Sequence, residues 1–255
     1  NALLISGYVD AYKAFGNEAF LKSAKAIYEF IKTNSYKEDH LLHSYKKDSK
    51  RKEGFLEDYS FLIAASLKLY EVTLKKNYLE FAQKLNTTVK DEYTDKSSGM
   101  FAFSNEKNLI SKIIKTNDGD LPSPNSVMAQ NLFLLGHLDY NAAHLNQAKT
   151  MLTTVLPYVI DYTDGYAKWS SLFLNTSQPF FEIVVVGKDA EEIVKELQSK
   201  HLPNALIVGS TKDSNEPLFK DRFVENETFI YVCQNSTCKL PVKSIDDALN
   251  QMNNF

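Results

Sequence analysis

Two adjacent acidic residues, Glu57 and Asp58, precede Tyr59 at the start of a predicted helix. Paired carboxylates do acid–base work on glycosides, and carboxylate oxygens accept hydrogen bonds from sugar hydroxyls. The helix dipole also favours acids at a helix N-terminus, so a purely structural role is the open alternative. We predict Glu57 and Asp58 as catalytic residues and Tyr59 as a substrate contact.

A short β-like run at residues 41–45 carries His43 and Tyr45 shortly before this acidic pair. Histidine titrates near neutral pH, so it can serve as both acid and base in proton transfer. A surface or packing role is the alternative for a histidine on a connecting segment. We predict His43 as a third catalytic residue and Tyr45 as a second aromatic contact to the substrate.

A second polar cluster precedes another predicted helix and contains Asp118, Asp120, Ser123, Asn125 and Ser126. Asn and Ser are preferred helix N-caps, which gives the cluster a structural explanation. So many hydrogen-bonding groups on one loop would also match a polar ligand. We predict Asp120, Ser123, Asn125 and Ser126 as substrate-binding residues.

The sequence contains no pattern that indicates a metal or a cofactor. The histidines show no metal-ligand spacing, and no carboxylate-rich metal loop is found. Gly187 follows a predicted strand, but neither a dinucleotide fingerprint nor a phosphate-binding loop surrounds it. We therefore predict no metal site and no cofactor.

The two cysteines, Cys233 and Cys238, form a C-x4-C pair. A catalytic redox pair usually has two intervening residues at a helix start, and two thiols are too few for a structural zinc site. The spacing permits a disulfide, but we predict reduced structural thiols. A redox role for the pair stays open as an alternative.

The elements that must position these residues repeat along the chain. Residues 4–31, 62–89 and 128–155 each read as a helix, a short polar turn and a second helix, with apolar residues at helical spacing. Short connections force antiparallel neighbours, and hairpins of this length must stack to bury their apolar faces. The longer links between hairpins are typical of a closed α/α toroid, in which they rim a central cavity.

The number of hairpins is about three, half of the six in such a toroid. The chain begins at Asn1, already within an apolar helical pattern, and we expect residues upstream of it to be missing. The apolar face near Leu3, Leu4 and Tyr8 would then need a partner. We expect that partner to be the missing N-terminal part of the protein or a second copy of the chain.

The last part of the chain changes character. The β-branched run at residues 181–187 predicts a buried strand, a helix follows from Ala190, and further strands are predicted at 205–208 and 228–233. A final helix begins at Ser244. A strand–helix–strand unit implies a parallel pair with a right-handed crossover.

The predicted fold class is therefore mainly α. Residues 1–175 are αα-hairpin repeats that form part of an (α/α)6 toroid. Residues 180–255 form a small α/β module with a short parallel sheet, packed on the toroid.

Composition excludes several classes of protein. The balance of 29 basic and 32 acidic residues gives no basic footprint for nucleic acid, and the basic run at residues 46–52 is interrupted by Asp48 and Ser49. No apolar stretch approaches the ~20 residues of a membrane span. Two cysteines argue against a disulfide-rich secreted scaffold. We predict a cytoplasmic protein that binds neither nucleic acid nor membrane.

Three motifs in this order resemble a known family. They are Gly-Phe-Leu-Glu-Asp-Tyr-Ser-Phe at residues 54–61, Pro-Ser-Pro-Asn-Ser-Val at residues 122–127, and the segment from Ile230 through Val242. The chain resembles the C-terminal part of the thioredoxin-domain-containing proteins related to spermatogenesis-associated protein. It departs from them at Pro124, where the family usually has Gly.

This resemblance implies an upstream thioredoxin-like domain and a six-hairpin toroid similar to glycoside-processing enzymes and sugar 2-epimerases. We therefore predict a carbohydrate-binding or carbohydrate-processing toroid, glycosidase-like or epimerase-like if it is an enzyme, with a sugar as its ligand. The alternative is a non-catalytic interaction scaffold that presents partners to the upstream redox domain.

Overall fold

The computed structural model describes residues 1–46, 52–106 and 111–254. Its helical part contains the three predicted antiparallel hairpins: α1 (Ala2–Phe15) with α2 (Glu18–Asn34), α3 (Leu56–Thr73) with α4 (Lys76–Glu92), and α5 (Pro124–Leu138) with α6 (Ala142–Asp161). A 3₁₀ turn and α7 (Ala167–Ser177) follow. Among the described residues, none of these helices combines the length and apolarity needed to cross a membrane.

The hairpins are arranged in two layers. Helices α1, α3 and α5 pack side by side, and each pairs with its own outer helix, α2, α4 or α6. Residues of α3 and α5 are buried around nearly the whole circumference, whereas α2 and α4 bury one stripe. This difference follows from the sequence, because α3 and α5 carry apolar residues on all faces and the outer helices are amphipathic.

The links between hairpins lie at the N-terminal ends of α3 and α5. The first contains the paired strands β1 (Tyr36–Lys37) and β2 (His40–Leu41) and a bridge between Leu42 and Glu53. The second contains a bridge between Thr94 and Phe101. The predicted β-like runs thus form only short pairings, and most of the basic run, residues 47–51, lies outside the described residues.

The C-terminal module is a four-stranded sheet with helices on one face. Its strands are β3 (Phe181–Val186), β4 (Ala205–Ser210), β5 (Phe229–Gln234) and β6 (Thr237–Cys238), in the order β4-β3-β5-β6. The crossover helix is α8 (Ala190–Ser199), and the final helix is α9 (Ile245–Asn253), capped as predicted by Ser244.

The predicted parallel sheet is correct only for its first pair. β3 and β4 are parallel, but β5 runs antiparallel to β3, and β6 antiparallel to β5, so the sheet is mixed. Residues 211–228 contain no helix that could carry the chain back across the sheet. The next strand therefore enters from the edge at which β4 ended.

The prediction of reduced thiols at Cys233 and Cys238 is wrong in this structure, because the two residues form a disulfide. They are directly opposed in the β5–β6 hairpin, whose turn is Asn235 and Ser236. Both turn residues have positive φ, 51° and 62°, as two-residue hairpin turns of the type I′ class require. The turn thus brings the two cysteines face to face.

The module covers the C-terminal ends of the inner helices. One face of its sheet, including Val184 and Val208, joins the helical core, while Ile183 and Val185 face α8 and α9. A buried contact of 2.6 Å between His137 Nδ1 of α5 and Glu182 Oε1 of β3 crosses the boundary. The module therefore leaves the N-terminal ends of the inner helices, with their links, as the open end of the molecule.

Gly187 is required by close packing at the end of β3. Its φ is 137°, and a Cβ at this position would lie 2.2 Å from Glu227 O and 2.5 Å from Thr228 Cα. We expect Gly187→Ala to lower the free energy of unfolding, measured by urea denaturation, by about 3 kcal/mol, because backbone atoms cannot yield as a flexible side chain can.

Gly7→Ala is the matched control. Gly7 lies within α1 with nothing within 4 Å of its added Cβ, so alanine should raise stability by about 1 kcal/mol through helix propensity alone. Equal effects of the two substitutions would contradict the packing role of Gly187.

Candidate active site at the N-terminal ends of the inner helices

A cavity of about 450 Å³ opens beside the first turns of α1 and α3 and under the link between the first two hairpins. Four of the predicted site residues line it: His43, Tyr45, Glu57 and Asp58. Its other walls include Leu3 of α1, Phe30 at the end of α2 and Phe61 of α3. The structure thus brings the predicted catalytic residues together at one opening.

His43 and Asp58 are in direct contact. His43 Nδ1 lies 3.0 Å from Asp58 Oδ2, and the same oxygen accepts a hydrogen bond of 2.7 Å from Phe55 N. Asp58 therefore caps α3, the structural role considered for it, and also holds the imidazole, while its catalytic role stays a prediction. A histidine held through Nδ1 by a carboxylate presents Nε2 for proton transfer, with its ring orientation fixed.

The environment of Asp58 changes its acidity. Burial raises the pKa of the Asp58 carboxyl above its ordinary value, and the hydrogen bonds from Phe55 and His43 oppose that rise. The side chains of Asp58 and His43 are 23% and 34% exposed, so both groups remain reachable from the cavity. A carboxyl with a raised pKa retains its proton to higher pH, a property that general acids use.

Aromatic rings support this pair and line the cavity. The His43 ring packs against the edge of Phe55 with centroids 4.9 Å apart, and Phe55 stacks on Phe103 at 4.8 Å. Across the cavity, Phe30 and Tyr45 meet edge to face at 5.8 Å, and both are about half exposed. Exposed aromatic faces next to a few polar groups are typical of small-molecule sites.

Tyr59 and Asn125, predicted as substrate contacts, lie beneath the surface and hold the links. The Tyr59 hydroxyl accepts a hydrogen bond of 2.9 Å from Leu41 N. The Asn125 side chain accepts from Phe101 N and donates to Phe101 O and Lys115 O, each at 2.9 Å. Both are almost fully buried, so they shape the rim of the site.

The remaining predicted contacts belong to the cap of α5. Ser123 accepts a hydrogen bond from Ser126 N at 3.1 Å, and the Ser126 hydroxyl lies 2.8 Å from Ser123 O and 3.2 Å from Asp118 Oδ1, either of which can accept its proton. Both serines are buried. Asp120 is exposed on the same loop, next to Leu121, which lines the cavity.

Sequence reasoning missed the apolar walls, Phe30, Phe61 and Leu121. Phe30 lies near the end of α2 and Phe61 in the second turn of α3, both close to the first link, and that position is the signal that could have found them. Within residues 1–46, 52–106 and 111–254, no three His, Cys, Asp or Glu side chains are placed to hold one metal ion.

The arrangement of the hairpins resembles part of an α/α toroid. A GH76 α-mannanase from Bacteroides thetaiotaomicron superposes with a TM-score of 0.50 and 18% identity, covering 60% of this chain and 42% of that one. At this identity the similarity shows the fold alone. It supports the predicted toroid for the hairpins.

Two curated proteins illustrate the sequence similarity of this chain. Human spermatogenesis-associated protein 20 is 25% identical over 270 residues, which are 95% of this chain and 34% of that protein. An uncharacterized Caenorhabditis elegans protein, B0495.5, is 25% identical over 269 residues, covering 99% and 37%.

The chain therefore spans about a third of the length of these relatives. Its similarity to spermatogenesis-associated protein 20 agrees with the family resemblance that the three motifs indicated. The predicted upstream thioredoxin-like domain is not shown by these matches, and no protein-family model matches the chain.

The contribution of the Asn125 side chain to stability can be tested by substitution. Asn125→Ala would leave Phe101 N, Phe101 O and Lys115 O without partners, so we expect the free energy of unfolding in urea to fall by about 3 kcal/mol. Asn146→Ala, at an exposed position of α6, is the control and should stay within about 0.5 kcal/mol of the parent. A stable Asn125→Ala protein would show that the amide is not needed to hold the rim.

Proposed function

We propose that the cavity beside α1 and α3 binds a carbohydrate and that His43, oriented by Asp58, exchanges protons with it. The observation that carries this proposal is the 3.0 Å contact between His43 Nδ1 and Asp58 Oδ2 inside a cavity. The toroid similarity to a carbohydrate-active enzyme supports the choice of ligand class. Glu57, on the same cavity wall, supplies a second carboxylate for sugar hydroxyls.

The size and surface of the cavity suit this ligand class. A volume of about 450 Å³ is within the ordinary range for small-molecule sites and is sufficient for one or two sugar rings. Phe30 and Tyr45 offer aromatic faces to the apolar faces of a sugar ring, while Glu57 and Ser44 offer hydrogen-bonding groups. A carbohydrate presents this same combination of apolar C–H faces and hydroxyl edges.

Two reactions are compatible with this group of residues. In glycoside hydrolysis, one carboxyl group protonates the leaving oxygen while a second carboxylate assists. In epimerisation, one base removes a proton from a sugar carbon and an acid returns it to the other face. The raised pKa of Asp58 favours it as the acid in the first case, and His43 serves as the base in the second.

The experiment is ligand-observed NMR and calorimetry with mannose, glucose, mannobiose and cellobiose. We expect saturable binding of at least one sugar. His43→Ala and Asp58→Asn should each weaken binding about tenfold or more, because each loses a charged or ionisable hydrogen-bonding partner. Incubation in deuterated water then separates the reactions, since epimerisation exchanges a carbon-bound hydrogen and hydrolysis releases a monosaccharide.

His201→Ala is the matched control, because His201 is an exposed histidine that lines a different pocket. It should bind sugar as the parent does. If none of the four sugars binds the folded protein, or if His201→Ala has the same effect as His43→Ala, the proposal fails.

The second candidate function is a non-catalytic scaffold. Its support is that Tyr59, Asn125 and Ser126, predicted as ligand contacts, are bonded within the protein and buried. Under this proposal the partner is the remainder of a longer protein, or a second copy, against the apolar surface around Leu4, which is 48% exposed. Light scattering of the parent and of Leu4→Glu distinguishes self-association, which Leu4→Glu would abolish, from a monomer.

A further inference from the structure

The disulfide between Cys233 and Cys238 is asymmetric. Cys233, on β5, is fully buried, whereas Cys238, on the short edge strand β6, is exposed. An incoming thiol would therefore approach the bond from the side of Cys238. Accessibility of one sulfur is a requirement for thiol–disulfide exchange, and fully buried disulfides lack it.

A guanidinium group lies against both sulfur atoms. Arg222 Nη2 is 3.3 Å from Cys238 Sγ, and Arg222 Nη1 is 3.7 Å from Cys233 Sγ. A disulfide sulfur is neutral and only a weak acceptor, so these contacts contribute little while the bond is intact. They become strong once a thiolate forms, because a permanent positive charge then faces a negative one.

The position of Arg222 is fixed by its neighbours. Its guanidinium lies over the Tyr231 ring, 4.9 Å from the centroid, and its Nη2 lies 3.5 Å from the Tyr140 hydroxyl. The Tyr231 hydroxyl in turn donates to Arg222 O at 3.1 Å. Within the described part of the chain, no carboxylate lies at ion-pair distance from Arg222, so its charge is available to the sulfurs.

The titratable groups in contact with this arginine are Tyr140 and Tyr231. Burial raises the pKa of both tyrosines above the ordinary value, so both hydroxyls are neutral near pH 7. Neither competes with a thiolate for the guanidinium.

We propose that Cys233, Cys238 and Arg222 form a thiol–disulfide exchange site, which takes electrons from a thiol substrate through the exposed Cys238. This site is separate from the proposed carbohydrate site, since it lies on the C-terminal module. The assignment rests on the exposure of Cys238, beside a buried Cys233, and on the placement of one cation against both sulfurs.

The exchange proceeds in two successive thiolate attacks. A substrate thiolate attacks Cys238 Sγ, which forms a mixed disulfide and releases Cys233 as a thiolate beside Arg222 Nη1. A second substrate thiolate attacks the substrate sulfur of the mixed disulfide, which releases Cys238 as a thiolate beside Arg222 Nη2. Two substrate thiols are oxidised to one substrate disulfide, the protein disulfide is reduced by two electrons, and the two thiol protons end on the protein or in solvent.

The hairpin needs no rearrangement during this cycle. The register that opposes Cys233 and Cys238 is set by the turn residues Asn235 and Ser236 and by the pairing of β5 with β6. Reduction therefore leaves the two sulfurs close to each other and to Arg222, ready for reoxidation.

The test measures reduction of the 255-residue protein by glutathione and the alkylation of the reduced protein by iodoacetamide as a function of pH. We expect glutathione to reduce the disulfide while circular dichroism shows the fold unchanged. In Arg222→Gln, the fraction of reactive thiolate at pH 7 and the rate of reduction should each fall about tenfold, the change that one pKa unit makes. Arg222→Lys, which keeps the charge, should recover part of this loss.

Lys243→Gln is the charge-matched control, because Lys243 lies in the same module and contacts Glu227 and Phe229. It should behave as the parent. Identical alkylation profiles for the parent and Arg222→Gln would overturn the role of the arginine, and resistance of the folded protein to glutathione would overturn the exchange site.

Single cysteine variants test which sulfur reacts. Cys233→Ser should accumulate a glutathione adduct on Cys238, seen by mass spectrometry, after incubation with oxidised glutathione. Cys238→Ser, which leaves only the buried thiol, should react at least about tenfold more slowly. Equal reactivity of the two variants in the folded state would contradict entry through Cys238.

Discussion

The burial of α3 and α5 on nearly all sides is the constraint on which the rest of this structure depends. A helix that is apolar around its whole circumference has to be covered everywhere. An outer helix covers one side of each, α1 and α5 flank α3, α3 and α7 flank α5, and the sheet covers the C-terminal ends. The N-terminal ends of these helices meet the links between hairpins, and beside the first turn of α3 a cavity opens that water or a ligand can enter.

The hairpins were predictable because their signals are local. Apolar spacing, short polar turns and caps such as Ser123 and Ser244 all act within one or two helical turns. The links were not predictable in detail, because they are held by distant side chains. The Tyr59 hydroxyl bonds to Leu41 N, and the Asn125 side chain bonds to Phe101 N. The residues next to Leu41 and Phe101 in the sequence give no indication of these contacts.

The errors in the C-terminal module have similar physical origins. The direction of β5 depends on the lack of a crossover helix in residues 211–228, which a pattern of strands alone does not show. The pairing of the cysteines did have a local signal, since Asn235 and Ser236 between them favour a tight hairpin turn. In the candidate site, the sequence identified His43 and Asp58 separately, but only the fold brings Nδ1 and Oδ2 into contact.

The side-chain amide of Asn125 bonds to the backbone of Phe101 as a neighbouring β-strand would. It accepts from the N–H and donates to the C=O of the same residue, Phe101, as a paired peptide group would. Its nearest isostere, aspartate, has the same shape but no donor, and would bring a negative charge to the carbonyl oxygens of Phe101 and Lys115. Spontaneous deamidation of this single amide would therefore undo the pairing without changing the volume of the core, so the chemical lifetime of the rim depends on how well Asn125 is shielded from water.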